Sequence, residues 1–502
     1  MKILKNIIYT VAIVSTTSSA LSLGQLQNMP KSIERDFYIW KFLKSPTTTR
    51  EQALKASKLI YHINGKLNRA YNKKTALRLH KKVYKPTKAD TTKYRKLISS
   101  LQKSGDFYGS WLKLSNKDKL ALFTLAGTQN RKLLNKKFDT SIYKAFLQDK
   151  KINQFIFRAF REKLTNLKSI ILNTNPTTSN KITYKNLMML GYKNLLNNNT
   201  KAAAWFFNSA RYNARSRFYA DNAIFWLYMA TKNRAYLNKL ANSYDYNIYK
   251  FVALDFLNKP YPTPPKLAIK NTTANIDITD PIAWARLKKK IFSKKYNLYS
   301  LAKSYNSIPT MAYYYYVMNK ATKDTKQYFP TPYANLISKL PVNRQALIYA
   351  IARQESRFIP ASVSSSFAVG MMQFMPFLVK HIAKQRGENI TLEDMFKPEV
   401  SIRFANTHLS YLNKHLYHPL FVAYAYNAGI GYTRRLIRKN IFNVGKYEPY
   451  LSLEMVDNDQ ARYYGKKVLA NYIIYKKILG SPVKATTLIN QLDKPKLTDR
   501  FR

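Results

Sequence analysis

With 502 residues, 46% of them hydrophobic, the chain is too long for one core and too apolar to be disordered or fibrous. Its formal charge of +59, from 85 Lys and Arg against 26 Asp and Glu, is compatible with an acidic polymer as partner or with basic residues decorating every solvated helix face. The lysines are dispersed instead of blocked, which favours the second reading, and the absence of cysteine excludes disulfides, thiol catalysis and lipid attachment at a lipobox cysteine.

The first residues, "MKILKNIIYTVAIVSTTSSALS", place Lys2 and Lys5 before an apolar stretch from Ile7 to Val14 and small residues ending at Ala20. This is the layout of a secretory signal over residues 1–20, with cleavage after Ala20 or Ser22. An uncleaved anchor would need about 20 apolar residues to cross a bilayer, more than this stretch offers. The protein is therefore expected to be exported. Residues 25–257 read as a succession of amphipathic helices. In "TKAAAWFFNSARYNARSRFYADNAIFWLYMAT" (200–231), Ala203, Phe206 and Ala210, then Ala220, Ala223 and Trp226, recur at helical spacing. Two such helices back to back predict an αα-hairpin of a degenerate solenoid, with the aromatics as core.

Prolines, threonines and asparagines without helical period mark 258–281 as a linker, and helical patterning resumes near Ala283, so 258–326 reads as linker and connector helices. A C-terminal domain is expected over 327–485, and 486–502 as a trimming tail. The expected fold class is mainly all-α. In the C-terminal domain the predicted helices cover 343–357, Pro376 to Gly387, 401–415, 419–428, 432–440 and 460–479. Between the first two lies "ASVSSSFAVGMMQFMP" (361–376), a loop too apolar for idle surface.

Glu355, in "AIARQESRFIP", falls on one helix face with Ile348 and Ile351. Desolvation there should raise its pKa toward neutrality, which suits a proton donor to a glycosidic oxygen. The competing reading is a buried Glu neutralised by Arg353 or Arg357, and spacing alone leaves both open.

"ARQESRF", "AVGMMQFMP" and "AYNAG", in this order, resemble the three signature motifs of soluble lytic murein transglycosylases. The resemblance covers about 327–485 and implies a lysozyme-like α domain behind an N-terminal α-superhelical arm. It also implies a periplasmic enzyme that cuts peptidoglycan glycan strands between N-acetylmuramic acid and N-acetylglucosamine without water. By that pattern Glu355 is acid and then base, closing a 1,6-anhydro ring, with the substrate's N-acetyl group supporting C1 and with no metal or other cofactor. Ser356 would polarise the acetamide or order the site, Met372, Gln373 and Met375 would line the sugar groove, and Tyr426 and Asn427 would close the far wall. Tyr464 and Glu454 are implied as further substrate contacts. Met371 stands where the family usually has Leu, and Gln460 and Ala461 replace a Glu-Thr pair ahead of the retained Arg462 and Tyr464. The arm is shorter than in the ring-shaped members, so closure into a ring is not implied.

Three other readings compete. A hydrolytic muramidase needs a second carboxylate about 5–9.5 Å from the acid, for which Glu388, Glu393, Asp394, Glu399 and Glu454 are candidates. A weak or inactive glycan-binding module would keep the groove alone. A nucleic-acid or membrane scaffold would need a basic face interleaved with exposed aromatics, which the sequence lacks. Nucleic acid is therefore not expected as a partner, peripheral association with the envelope is compatible with the charge, and protein partners are unspecified. Six histidines, His415 and His418 among them, form no His-Glu-x-x-His pattern, and no glycine-rich phosphate loop occurs.

Overall fold

A computed structural model describes residues 21–80, 88–271 and 274–502. The expected signal segment, 1–20, lies outside the described residues. Those residues build helices joined by turns and loops, with only isolated bridges and no strand among them, so the all-α expectation holds.

The arm follows from local signals. Ser32, Asn199 and Asn247 cap the helices Ile33–Lys44, Thr200–Tyr212 and Ile248–Phe256 by accepting from backbone amides of the first turn. The hairpin expected at 200–231 is present as Thr200–Tyr212 packed against Arg217–Thr231. Its core is the expected stripe of small and aromatic side chains. Ala203, Phe206, Ala210, Ala223 and Trp226 are buried, and Trp226 meets Tyr192 edge-on at 4.9 Å. Each buried aromatic of this kind stabilises by about 1.5–3 kcal/mol. Residues 258–280 carry no helix among the described residues, and Asp280 with Pro281 at the first position starts the helix Pro281–Ile291.

In the C-terminal part, Val342–Glu355 and Pro419–Ala428 both pack along the long helix Asp459–Ile478. Gly465 makes the second of these contacts: a Cβ there would lie 2.2 Å from Cε1 of Tyr424. Residues 486–502 correct the expectation of a trimming tail. Leu488, Leu492 and Thr498 are buried, Asp255 of the arm accepts from the Thr486 amide at 2.9 Å, and the Tyr417 amide donates to the Thr498 carbonyl at 2.9 Å. The polar look of "QLDKPKLTDRFR" hides these contacts because its buried positions, Leu492, Thr498 and Asp499, are separated by exposed Lys494, Lys496 and Leu497.

Both ends of the arm touch the C-terminal part. At one end, Asp255 meets Thr486, Lys185 pairs with Asp459 at 2.6 Å, and Tyr249 donates to Glu454 at 2.8 Å. At the other end, Phe37 and Trp40 pack on Phe367 at 6.0 and 5.5 Å, and Lys41 pairs with Glu393. Asn64 and Lys66 donate to the carbonyls of Ser365 and Ser366 at 2.9 and 2.7 Å. The Ile33–Lys44 helix also reaches the connector through the Glu34–Lys288 ion pair. The chain thus runs as a closed circuit of contacts, which the sequence does not announce.

Candidate active site

Glu355 is the last residue of Val342–Glu355. Beyond it the chain turns sharply, with Arg357 and Phe358 both in the left-handed region (φ 57° and 69°) and the Phe358 side chain buried. Two such non-glycine residues in a row are held only where the surroundings over-determine them. Here that turn sets Glu355 at the open end of its helix, facing a cavity of about 1050 Å³.

The opposite wall is the loop expected at 361–376. Val369 and Phe374 exchange backbone hydrogen bonds at 2.9 and 3.0 Å, and Gln373 Nε2 donates to the carbonyls of Ser362 and Gly370 at 3.2 and 2.8 Å. Gly370 has φ 80°, and a Cβ there would lie 2.3 Å from the Met395 carbonyl oxygen, a backbone atom that cannot step aside. Gly370→Ala should therefore displace the loop and cost about 1–3 kcal/mol in backbone strain. Thermal or denaturant unfolding would show the loss, and an Ala variant as stable as the parent would refute it.

Ser356 Oγ donates to the Met371 carbonyl at 2.7 Å, and Tyr426 OH donates to the Met372 carbonyl at 2.8 Å. Both side chains pin the loop. Met371 and Met372 are fully buried, so Met372 supports the groove from beneath. Tyr464 OH donates to Glu355 Oε1 at 2.7 Å. Glu355, Gln373, Met375, Tyr426 and Asn427 line the cavity together, as does Gln460. Gln460 thus puts a neutral amide into this cavity. His408 and Tyr411, stacked with ring centres 6.3 Å apart, also line it, as do His381, Phe377 and Ser364–Ser366. These were not singled out by sequence. The one available signal was the spacing of His408 and Tyr411, three apart on a helix.

Burial pushes the Glu355 carboxyl up to about 7, against the opposing pull of the Tyr464 hydrogen bond. Burial, with the nearby Glu355 charge, holds the Tyr426 and Tyr464 phenols well above their ordinary value, so both remain donors. Burial, helped by His381, lowers His408 to about 4, which leaves it neutral at pH 7.

The neutralised-ion reading of Glu355 does not hold. Arg353 turns away to the Tyr328 carbonyl and to Asn471, with its guanidinium 3.7 Å from the Phe329 ring centre, and Glu355 has no ion pair among the described residues. The five candidate second carboxylates lie elsewhere. Glu388 is held by Arg386 and Arg403 at 2.6 and 2.9 Å, Asp394 by Lys397 at 2.9 Å, and Glu393 by Lys41. Glu399 is exposed in the first turn of Pro398–Asn413. Among the described residues Glu355 is the single carboxylate lining its cavity.

Glu454 departs from its expected place. It is buried, accepts from Lys466 Nζ at 2.7 Å and from Tyr249 OH at 2.8 Å, and does not line the Glu355 cavity. Burial opposes its ionisation, but Lys466 overcomes that and holds the carboxyl below its usual range. One partner, Lys466, comes from the long helix and the other, Tyr249, from the arm, so no single motif reveals this role.

Residues 333–446 match the family model described as Transglycosylase SLT domain, and the domain that holds Glu355 is of that class. The chain is similar to the soluble lytic murein transglycosylase of Salmonella typhimurium, with 28% identity over 219 residues, 41% of this chain and 32% of that protein. It is likewise similar to the soluble lytic murein transglycosylase of Escherichia coli K12, 26% identical over 215 residues, again 41% and 32%. The matched stretch thus spans about a third of these curated relatives. Among solved structures, an inactive mutant of the lytic transglycosylase Slt from Pseudomonas aeruginosa superposes with a TM-score of 0.48 and 17% identity, covering 92% of this chain and 75% of that one.

Proposed function

We propose that this chain is a peptidoglycan lytic transglycosylase that cleaves the N-acetylmuramic acid–β-1,4–N-acetylglucosamine bond and leaves 1,6-anhydro ends. The observation that carries the reading is a single carboxylate, with a pKa near neutrality, in a large cavity of a transglycosylase-class domain. Protonated Glu355 donates to the glycosidic oxygen as the C1–O bond breaks, and the substrate's own acetamide oxygen supports the positive C1. The resulting carboxylate takes the proton from the muramic acid 6-hydroxyl, whose oxygen bonds C1. The proton count closes on Glu355 and no water enters.

The surrounding groups support these steps. Tyr464 fixes the orientation of the carboxylate from Oε1, while Ser356 and Tyr426 hold the loop through the carbonyls of Met371 and Met372. With its nitrogen committed to the loop, Gln373 is left to offer its amide oxygen to sugar hydroxyls or acetamides. Asn427 and Met375 take the far wall and the groove, and the basic arm guides the anionic strand. Export by the 1–20 segment would place this activity in the periplasm. Among the described residues no helix is long and apolar enough to cross a membrane.

A hydrolytic muramidase is disfavoured because its second carboxylate, about 5–9.5 Å from the first, has no counterpart in the cavity. Mass spectrometry of muropeptides released from purified sacculi decides the matter. Products one water lighter than hydrolytic ones are expected, and their rate of formation should fall as pH rises through about 7, where Glu355 loses its proton. Reducing ends of full mass would overturn the reading in favour of hydrolysis, and no products at all would leave a glycan-binding module.

A further inference from the structure

A second cavity, of about 390 Å³, lies wholly on the arm and shares no lining residue with the Glu355 cavity. Small-ligand sites span about 300–1,000 Å³, so it has room for one compact group. The loop residues 175–178 form one wall, the helix Thr200–Tyr212 another, and Tyr236 of the helix Ala235–Ala241 a third, with buried Leu227 behind them. The loop is tied to the helix in advance. Ser209 Oγ donates to the Thr177 carbonyl at 3.1 Å, and Asn180 Nδ2 donates to Ser209 Oγ at 2.7 Å and to the same carbonyl.

Of the chain's five tryptophans, Trp40, Trp111, Trp226 and Trp284 are buried, and Trp205 alone is partly open to solvent. It lines this cavity with Asn208, three residues on and so on the same helix face. The Trp205 indole N–H, the Asn208 amide and the Tyr236 hydroxyl have no hydrogen-bond partner among the described residues, and none of these atoms is sealed from solvent. Asn175 and Thr178 stand exposed beside them, with side chains equally uncommitted. Lys201, outside the lining, lies 5.9 Å from the Trp205 ring centre. The lining itself has no charged residue, although the chain carries a formal charge of +59, and the Glu355 cavity likewise has no Lys or Arg in its wall. An accessible indole beside free amides and hydroxyls, without charge, is the complement of a sugar. The C–H face of the sugar ring packs on the aromatic, while its hydroxyls and acetamide meet groups that both donate and accept.

We propose that this cavity is a second site for the glycan strand, holding one N-acetylated sugar residue away from the catalytic cavity. The sugar lies against Trp205, its acetamide exchanges hydrogen bonds with Asn208 and Asn175, and Thr178 and Tyr236 meet its hydroxyls. The choice of an N-acetylated sugar among neutral sugars rests on the peptidoglycan reading given above. A strand held on the arm is kept at high effective concentration near the domain that cuts it, with no part in the chemistry at Glu355.

Titration of the full chain with the β-1,4-linked trimer of N-acetylglucosamine, followed by tryptophan fluorescence, tests this. The Glu355 cavity has no tryptophan in its lining, and the other four indoles are buried, so the signal reports on Trp205. A saturable change in emission is expected, with Trp205 shielded from acrylamide quenching, and Trp205→Phe should remove both effects. Asn208→Leu keeps the indole and should weaken binding about 3- to 10-fold, the worth of a lost hydrogen bond. The trimer of glucose, which lacks the acetamides, should bind more weakly by a similar factor. No emission change at millimolar trimer would overturn the proposal, as would a change that survives Trp205→Phe and so places the sugar elsewhere. Equal affinity in Asn208→Leu, or for the glucose trimer, would overturn the acetamide recognition. None of these readings needs turnover, so failure of the transglycosylase reading would show in the muropeptide spectrum and failure of this site in the titration.

Discussion

Glu355→Gln should lower the rate of glycan cleavage by about 10²–10⁴-fold, the range a positioned acid–base group supplies. The amide keeps the shape of the carboxyl, and its oxygen can still accept from Tyr464, but it can neither give up a proton nor take one at neutral pH. The anhydro product should vanish from the muropeptide spectrum while binding of sacculi persists. The same substitution has an opposite effect on stability. The ordinary carboxyl value is 4.5 and burial lifts Glu355 to about 7, so the folded state favours the protonated form. That contribution is fully present below 4.5 and is lost as pH rises through about 7. The variant should match the parent in acid and exceed it in melting temperature above pH 7. A variant that still cleaves would end the acid–base role, and identical pH–stability curves would show that burial does not perturb the group.

Glu454→Gln should have the largest effect on folding, about 3–5 kcal/mol, because it leaves a buried ammonium without its counter-charge. Lys466 is 0% exposed, and its other partner is the hydroxyl of Tyr249. Denaturant unfolding measures the loss. Replacing both Glu454 and Lys466 by Met should recover most of it, since apolar groups of similar size do not need the pair. At temperatures where the variant is folded, its KM for glycan should be unchanged. A raised KM with unaltered stability would instead restore Glu454 to the substrate groove.

These two glutamates show where sequence is informative and where it stops. The helical hairpin at 200–231 is legible because helix periodicity is local, and Glu355 is legible because its apolar helix face and its motif lie within a dozen residues. The bond from Tyr464 spans 109 residues and the bond from Tyr249 to Glu454 spans 205. Contacts of that range leave no periodic trace, so Glu454 read as a groove residue although its partners come from the arm and the long helix. His408 and Tyr411 escaped for the same reason, as ordinary positions on a helix whose neighbours are supplied by Phe374 and Tyr426. The 486–502 segment shows the limit of composition: Leu488, Ile489, Leu492, Thr498 and Asp499 are buried although the stretch reads as polar.

An arm fastened at both ends has a fixed span. Gain or loss of one helical hairpin would shift one fastening relative to the other by the spacing of packed helices, about 8–10 Å. That is far beyond the reach of the hydrogen bonds from Asn64 and Lys66 to Ser365 and Ser366. The number of helices in the arm is therefore tied to the positions of its fastenings on the C-terminal part, the wall loop of the Glu355 cavity among them. In evolutionary terms, a change in the arm's length has to come with a rebuilt fastening, a demand that substitutions on its outer faces do not make.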